Sequence, residues 1–172
     1  MIGKPDSSEY SHFYAGYVAN VTEDDVLGAL EKQTAETVAL FARVDEEKGA
    51  FRYAPEKWSV KQVVGHLTDG EHIFAYRALA IARGDKASLP GFDENEYMRE
   101  SNFDQRSMRS IAEAHAAARA ATLALFRGFS DEMWQRVGTA NDNAVSVRAL
   151  AYITLGHERH HLKVLRERYG VA

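Results

Sequence analysis

Near its C terminus the chain reads Gly156-His157-Glu158-Arg159-His160-His161, within its last long run of regularly spaced apolar residues. In an α-helix, residues four apart project from one face about one turn apart, so His157 and His161 would place two imidazoles within reach of one metal ion. The apolar row begins at Val147, continues to Leu165 and contains both histidines. We therefore predict a helix that begins near Ser146 and carries both histidines in its core-facing row.

A third histidine of the same kind lies far upstream, in Val63-Val64-Gly65-His66. It follows a typical helix start, with Ser59 as the N-cap and Gln62 at the third helical position. The apolar stripe of this helix continues until Gly84 ends it. Because His66 lies at the edge of the stripe, we predict that the fold brings it against the two histidines near the C terminus.

Three histidines in such positions favour a shared metal site. Burying an imidazole without a partner costs about 1–3 kcal/mol, and neutral imidazole is a strong ligand for first-row metal ions. The alternative is that these histidines are satisfied core or surface residues and that no metal binds. Because the chain has no cysteine, a metal would take histidine, carboxylate and water ligands, which is typical of sites with an open position.

Two further amphipathic stretches complete an all-α fold. The first is expected to begin at the N-cap Thr22 and to end near Gly49, and another runs from about Gln105 or Ser107 to Phe129. Residues 85–106 form a connection too long for neighbouring antiparallel helices. We predict a four-helix bundle, up-down-down-up, with a long crossover between helices two and three. Residues 1–172 are expected to form one domain, with residues 1–21 as an arm packed on the bundle.

The composition argues against several classes of function. The 172 residues include 21 Lys plus Arg and 25 Asp plus Glu, a net charge of −4 without a basic run, so no nucleic-acid partner is expected. There is no apolar stretch long enough to cross a bilayer and no basic-then-apolar secretory start. We therefore expect a cytoplasmic protein with no membrane partner.

Other polar residues near these motifs are weaker candidates. His160 is a rival ligand, but it points about a quarter-turn off the row and is expected to flank the site. The remaining histidines, His12, His72 and His115, are expected to be structural or solvent-facing. Asp69 and Glu158 are candidates to orient a ligand imidazole, and the alternative is that they are solvated helix charges.

The spaced motifs together carry a family resemblance. Trp58-Ser59-Val60 leading to His66 and Asp69, then Leu89-Pro90-Gly91-Phe92, and finally Gly156-His157-Glu158 with His161 resemble the DinB/YfiT-like family over nearly the whole chain. The resemblance implies a four-helix bundle with a divalent metal, most commonly nickel or zinc and otherwise iron or manganese, held by His66, His157 and His161. It also implies a homodimer, a small-molecule substrate and, in some related proteins, transfer chemistry that uses a low-molecular-weight thiol.

Two classes of function follow. In the first, the protein is a metal-dependent transferase or hydrolase whose substrate enters where the histidines converge, with residues 92–97 of the crossover as a candidate lid. In the second, it is a non-catalytic, dimeric metal-binding or stress-response interaction protein in which the metal is structural or sensory. The residues that would perform catalysis are not identified by the sequence, and a metal-free bundle is the remaining alternative.

Overall fold

Four long helices form the body of the computed structural model, which describes residues 2–172; Met1, the first residue of the predicted arm, lies outside them. Among these four, taken in chain order, the second helix packs closely against the fourth and against the third, and the first packs mainly against the third. These long helices are α2 (Val26–Phe41), α4 (Val60–Ala82), α6 (Met108–Arg127) and α8 (Val147–Tyr169). The prediction of a mostly helical fold is confirmed. Among the described residues, no helix is both long and apolar enough to cross a membrane.

Short elements fill the connections. The short helices are α1 (Ala15–Ala19), α3 (Glu46–Ala50), α5 (Glu94–Glu100) and α7 (Asp131–Trp134), with 3-10 turns at Ser7–Glu9, His12–Tyr14 and Phe103–Gln105. The predicted arm is therefore folded into turns and one short helix, and α1 packs against α8.

Serine caps set the starts of three long helices. The side chain of Ser59 accepts a hydrogen bond from the backbone N–H of Gln62, whose side chain accepts in return from the Ser59 backbone. Ser107 and Ser146 cap α6 and α8 in the same position. A local capping hydrogen bond satisfies one of the free N–H groups at a helix start, and so these predicted starts are confirmed.

The predicted bounds of the first long helix are wrong. Thr22 bonds to the neighbouring Glu23 carboxylate instead of capping, and the helix begins after Asp25, whose carboxylate accepts from the Gly28 N–H at 3.1 Å. The helix ends at Phe41 and not near Gly49. The chain turns before Asp45, which caps the separate helix α3, because a second good N-cap starts a new helix there.

A small three-stranded sheet lies in connections for which the sequence predicted no strands. Its strands are β1 (Ser88–Leu89), β2 (Val137–Ala140) and β3 (Asn143–Ser146). Strands β2 and β3 form an antiparallel hairpin, and β1 pairs with β2 in parallel. The two turn residues of the hairpin, Asn141 and Asp142, both have positive φ angles of 49° and 59°, as a tight hairpin turn requires. The sheet ties the crossover to the start of α8.

A layer of buried polar side chains crosses the middle of the bundle. On one side of it lies a core cluster that includes Leu30, Phe126 and Leu150, and on the other a cluster that includes Phe41, Ile111 and Leu165. All four long helices contribute to this polar layer. It comprises Gln33, Thr37, His66, Thr68, Glu71, His115, Arg119, Thr122, Thr154, His157 and Glu158.

Candidate metal centre

The structure brings the three predicted histidines together at the inner faces of α4 and α8. His66, His157 and His161, called here the histidine cluster, each offer a ring nitrogen, and these nitrogens lie within 4.8 Å of one another. Nε2 of His66 and Nε2 of His157 are 3.0 Å apart. The centroids of the three rings are separated by 4.6 to 4.9 Å. Residues that are 91 positions apart in sequence, His66 and His157, therefore meet at one point.

Burial keeps these imidazoles neutral. It lowers the pKa of His66 to about 4 and, together with the neighbouring histidines, lowers the pKa of His161 to about 3 and that of His157 well below its usual value. Desolvation disfavours the charged form of a base, and a neutral imidazole has a free lone pair for a metal. At neutral pH the cluster is therefore a set of three uncharged nitrogen donors.

The hydrogen bonding within the cluster is incomplete. Only one proton can lie between the two Nε2 atoms of His66 and His157, because two N–H groups would repel each other there. Nδ1 of His66 is buried and has no hydrogen-bond partner in residues 2–172. Buried polar atoms are normally paired. A divalent transition-metal ion, which takes imidazole nitrogen as a ligand, fits this donor set.

Aromatic rings hold the imidazoles in place. Trp58 lies against His66 with ring centroids 5.0 Å apart, and Phe74 lies edge-on to His157 at 5.5 Å. Tyr17 of α1 packs on His157 and on His160, at 5.4 and 5.3 Å. These contacts limit rotation of the rings and exclude water from them.

Two glycines allow this close packing. A Cβ atom at Gly156 would lie 1.9 Å from the carbonyl oxygen of Tyr17, so α1 reaches α8 only because that residue has no side chain. A Cβ atom at Gly70 would lie 2.9 Å from Cε1 of His157. Glycine at these positions therefore makes room for the arm and for one imidazole.

A cavity of about 310 Å³ opens next to the histidine cluster. The β2–β3 hairpin and residues 91–94 of the crossover also contribute to its wall. Burial raises the pKa of Tyr17, so its phenol stays protonated at neutral pH and remains a hydrogen-bond donor in the cavity wall. The lining residues other than the histidine cluster include Tyr14, Tyr17, Trp58, Phe74, Arg77, Phe92, Glu94, Asn141 and Asn143.

The weaker candidates occupy different places. His160 is exposed and flanks the site, as predicted, with its ring against His161. His12 and His72 are exposed. Asp69 is half-buried, and its burial raises the pKa of its carboxyl. The residues 92–97 predicted as a lid contribute Phe92 and Glu94 to the cavity wall.

Both interpretations of Glu158 are wrong, because it neither orients a ligand imidazole nor is solvated. It belongs to a buried group formed with Glu71, His115 and Arg119, called here the charged cluster. Arg119 donates two hydrogen bonds to the Glu71 carboxylate, at 2.8 and 2.9 Å, and one to Glu158 at 2.9 Å. Burial would raise the pKa of Glu158, but Arg119 and His115 outweigh it and lower the pKa to about 2.

Arg77 and the aromatic residues of the arm also form part of the cavity wall, and neither was predicted there. The arm has no periodic pattern from which a position could be inferred. For Arg77 a signal existed, because it follows His66 by eleven residues and therefore lies within about 20° of it around the same helix.

Comparisons with known proteins agree with this fold. A family model of the DinB superfamily matches residues 29–165. No curated protein sequence matches the chain.

Several solved structures are similar in fold. One is YfiT from Bacillus subtilis, which is described as a probable metal-dependent hydrolase with an unusual four-helix bundle topology. Its sequence is 17% identical and the TM-score is 0.75, and the match covers 98% of this chain and 94% of that one. A DinB-like protein from B. subtilis is 17% identical with a TM-score of 0.60, over 84% and 90% of the two chains. A mycothiol-dependent maleylpyruvate isomerase is 13% identical with a TM-score of 0.66, and 84% of this chain matches 61% of that protein.

Proposed function

The chain belongs to the DinB superfamily, and on this premise we propose that it is a metal-dependent enzyme acting on a small molecule. His66, His157 and His161 are the proposed ligands of one divalent ion. The observation that carries the proposal is that three neutral imidazoles converge beside a cavity of about 310 Å³. A small-molecule site is usually a concave pocket on which a few polar groups converge, and this cavity is lined by both aromatic and polar side chains.

The proposed chemistry needs an ion with a free coordination position. Three protein ligands with a further position left open are typical of catalytic rather than structural sites. When bound, a divalent ion supplies Lewis-acid chemistry that favours the deprotonated form of a thiol or of water. The chain itself holds the imidazoles neutral, orients them with aromatic rings and shields them from bulk water.

Within this class we favour transfer that involves a low-molecular-weight thiol over plain hydrolysis. The support is the fold shared with an isomerase described as mycothiol-dependent. Nickel or zinc is the proposed metal on the family resemblance, with iron or manganese as alternatives, because three imidazoles suit several of these ions.

The proposal extends to the architecture around the site. Residues 1–172 are taken as one domain with the helices up-down-down-up, and the long connection of residues 83–107 between α4 and α6 supports a crossover there. The homodimer is proposed on the resemblance alone. Light scattering of the purified protein tests it, and a mass of one chain, 19.2 kDa, would contradict it.

Metal analysis combined with turnover assays tests the function. Untagged protein is expected to contain close to one equivalent of a divalent transition metal by plasma mass spectrometry, and His66→Ala is expected to lose it. His72→Ala is the matched control, because it removes an exposed histidine from the same helix.

The metal-loaded protein is then incubated with pairs of small thiols and electrophiles and with simple esters. Turnover that requires both the metal and a thiol supports the proposal. A protein that binds metal but turns over no pair favours the non-catalytic interaction protein, and a wild-type protein without metal favours the metal-free bundle.

A further inference from the structure

Within residues 2–172 two arginines are buried, and their partners differ. Arg119 is 1% exposed and Arg77 is 3% exposed. Arg119 is paired with two carboxylates, those of Glu71 and Glu158. In the part of the chain that the structure describes, no carboxylate lies within ion-pair distance of Arg77. A buried guanidinium is normally paired, so the missing anion at Arg77 requires an explanation.

The contacts of Arg77 leave most of its hydrogen-bonding capacity unused. Nη2 donates to the carbonyl oxygen of Pro90 at 2.7 Å, and Nη1 makes a long contact of 3.5 Å to the hydroxyl of Tyr14. Both acceptors are neutral. Because a guanidinium has five N–H donors in a fixed fork, three of them are free of these contacts. The pair of contacts holds the fork in one orientation.

Arg77 lies on the wall of the cavity that borders the histidine cluster. It follows His66 by eleven residues on α4, so it points to nearly the same side of the helix and lies roughly 16 Å further along the helix axis. Helical side chains lean toward the N terminus, which directs the guanidinium back toward His66. The cavity therefore has a neutral metal-binding face at one end and a fixed positive charge toward the other.

One carboxylate does line the same cavity, that of Glu94 at the start of α5. It is exposed and makes no ion pair with Arg77. Glu94 therefore stands at the cavity mouth and does not neutralise the buried charge.

We infer that Arg77 binds a carboxylate of the substrate, so that the substrate class is a small organic acid whose reacting group lies at the other end, toward His66, His157 and His161. This deepens the proposed function and rests on it. A guanidinium fork matches a carboxylate with two parallel hydrogen bonds, and a cavity of about 310 Å³ admits only a small molecule. Phosphate presents similar oxygens, and the test separates the two.

The test compares two probes of equal length on full-length protein as purified. These are 3-mercaptopropionate and the neutral 3-mercaptopropan-1-ol, and calorimetry gives the Kd of each. Since the chain has no cysteine, the thiol probes cannot form a mixed disulfide with it. The wild type is expected to bind the acid at least ~10-fold more tightly than the alcohol, as loss of one charge-assisted contact implies. Inorganic phosphate is measured in parallel.

Arg77→Met is expected to remove the preference for the acid while leaving the Kd of the alcohol unchanged. Arg77→Lys keeps a buried cation if the methionine variant does not fold, and it is expected to reduce the preference severalfold because lysine has no fork. Arg109→Met, which removes an exposed arginine paired with Glu113, is the control and is expected to keep the full preference. Glu94→Gln is expected to keep or strengthen it.

A preference that survives unchanged in Arg77→Met or Arg77→Lys would overturn the inference, as would a wild type without the preference. Tighter, Arg77-dependent binding of phosphate would overturn the assignment of a carboxylate. The metal content of each sample is measured separately. A metal-free protein that still shows the Arg77-dependent preference would contradict the proposed function but not the assignment of Arg77. Metal-dependent turnover without that preference would contradict the assignment of Arg77 but not the proposed function.

Discussion

The histidine cluster and the charged cluster occupy the same polar layer but differ in charge and in their access to the cavity. Both draw residues from α4 and α8, and they are so close in sequence that His157 belongs to one and Glu158 to the other. The charged cluster pairs Arg119 with two carboxylates and is closed off from solvent. Each cluster keeps one buried imidazole nitrogen without a partner in residues 2–172, Nδ1 of His115 and Nδ1 of His66, but the histidine cluster is uncharged and opens on a cavity.

This difference shows that burial of a polar group does not by itself indicate a site. The carboxylates of the charged cluster already have hydrogen-bond partners within the protein, Arg119 for both and His115 for Glu158, so the cluster has little to offer a ligand. The histidine cluster presents donor atoms that no protein group satisfies. Unmet bonding capacity beside an accessible volume is what distinguishes the candidate site from its neighbour.

The largest expected effect comes from breaking the charged cluster. Arg119→Met leaves Glu71 and Glu158 buried without their partner, and removing one partner of a buried ion pair costs about 3–5 kcal/mol of unfolding free energy. Urea unfolding measures it. The control on the same helix, Arg109→Met, removes a fully exposed arginine and is expected to leave the unfolding curve unchanged. Equal curves for the two variants would contradict a structural role for the cluster.

The next largest effect concerns metal affinity. His66→Ala removes one of three proposed ligands, and its affinity for zinc is expected to fall more than ~100-fold, beyond the loss caused by removing an outer partner of a ligand. Competition with a chromophoric chelator measures the affinity, and His72→Ala is expected to match the wild type. If His66→Ala bound zinc as tightly as the wild type, the histidine cluster could not be the proposed metal site.

The two clusters should also titrate in different pH ranges. In metal-free protein the pKa of His66 is about 4, below its usual value near 6.5, so the unfolded state binds the proton first. The stability from this residue is complete above pH 6.5 and is lost as the pH falls toward 4, with roughly 2 kcal/mol gone at pH 5. The other two histidines act in the same direction.

In the charged cluster the pKa of Glu158 is about 2, against an ordinary value near 4.5. Its contribution is therefore complete above pH 4.5 and is lost only as the pH falls toward 2. Urea unfolding across pH 2 to 8 is expected to show stability that falls from pH 6.5 as the histidines are protonated and continues to fall below pH 4.5, where Glu158 is protonated as well, and His66→Ala is expected to reduce the upper fall, between pH 6.5 and 4.5. A variant that keeps the full upper fall would show that other groups produce it.

The smallest effect is expected at the contact between the arm and α8. Gly156→Ala places a methyl group against the backbone of Tyr17, so α1 must move away, at a cost of about 1–3 kcal/mol, the usual range of overpacking costs. Faster proteolysis of residues 1–21 and a small shift in urea unfolding measure it. Gly16→Ala is the control, because a Cβ atom there would meet nothing within 4 Å. Equal proteolysis of both variants would indicate that the arm is not held at this point.

Local signals account for what the sequence predicted well. Ser59 with Gln62, Ser107 and Ser146 each form a cap within three residues of themselves, so a short window of sequence contains all the atoms involved. The convergence of the three histidines was also predictable. Two of them share a helix face at a spacing of four, and the third lies on the edge of another apolar stripe.

What was missed depends on contacts between distant residues. Arg119 pairs with Glu71 and Glu158 across 48 and 39 positions, and no local pattern marks a charged residue as one that will be buried. The hairpin strands are too short to show an alternating pattern. The first long helix was misjudged because Thr22 and Asp25 are both good caps three residues apart and only Asp25 is used, and because Asp45 is a further good cap that begins a separate helix.

The polar layer has a consequence for how the helices align. Helices in an apolar bundle can slide past one another by one turn, about 5.4 Å, and replace one set of apolar contacts with another. Here such a slip would drive Arg119 or Glu158 into one of the two flanking apolar clusters and strand a charge in hydrocarbon. The polar layer therefore allows only one alignment of the helices along the bundle axis. The same alignment places the three imidazoles of α4 and α8 at one level of the bundle.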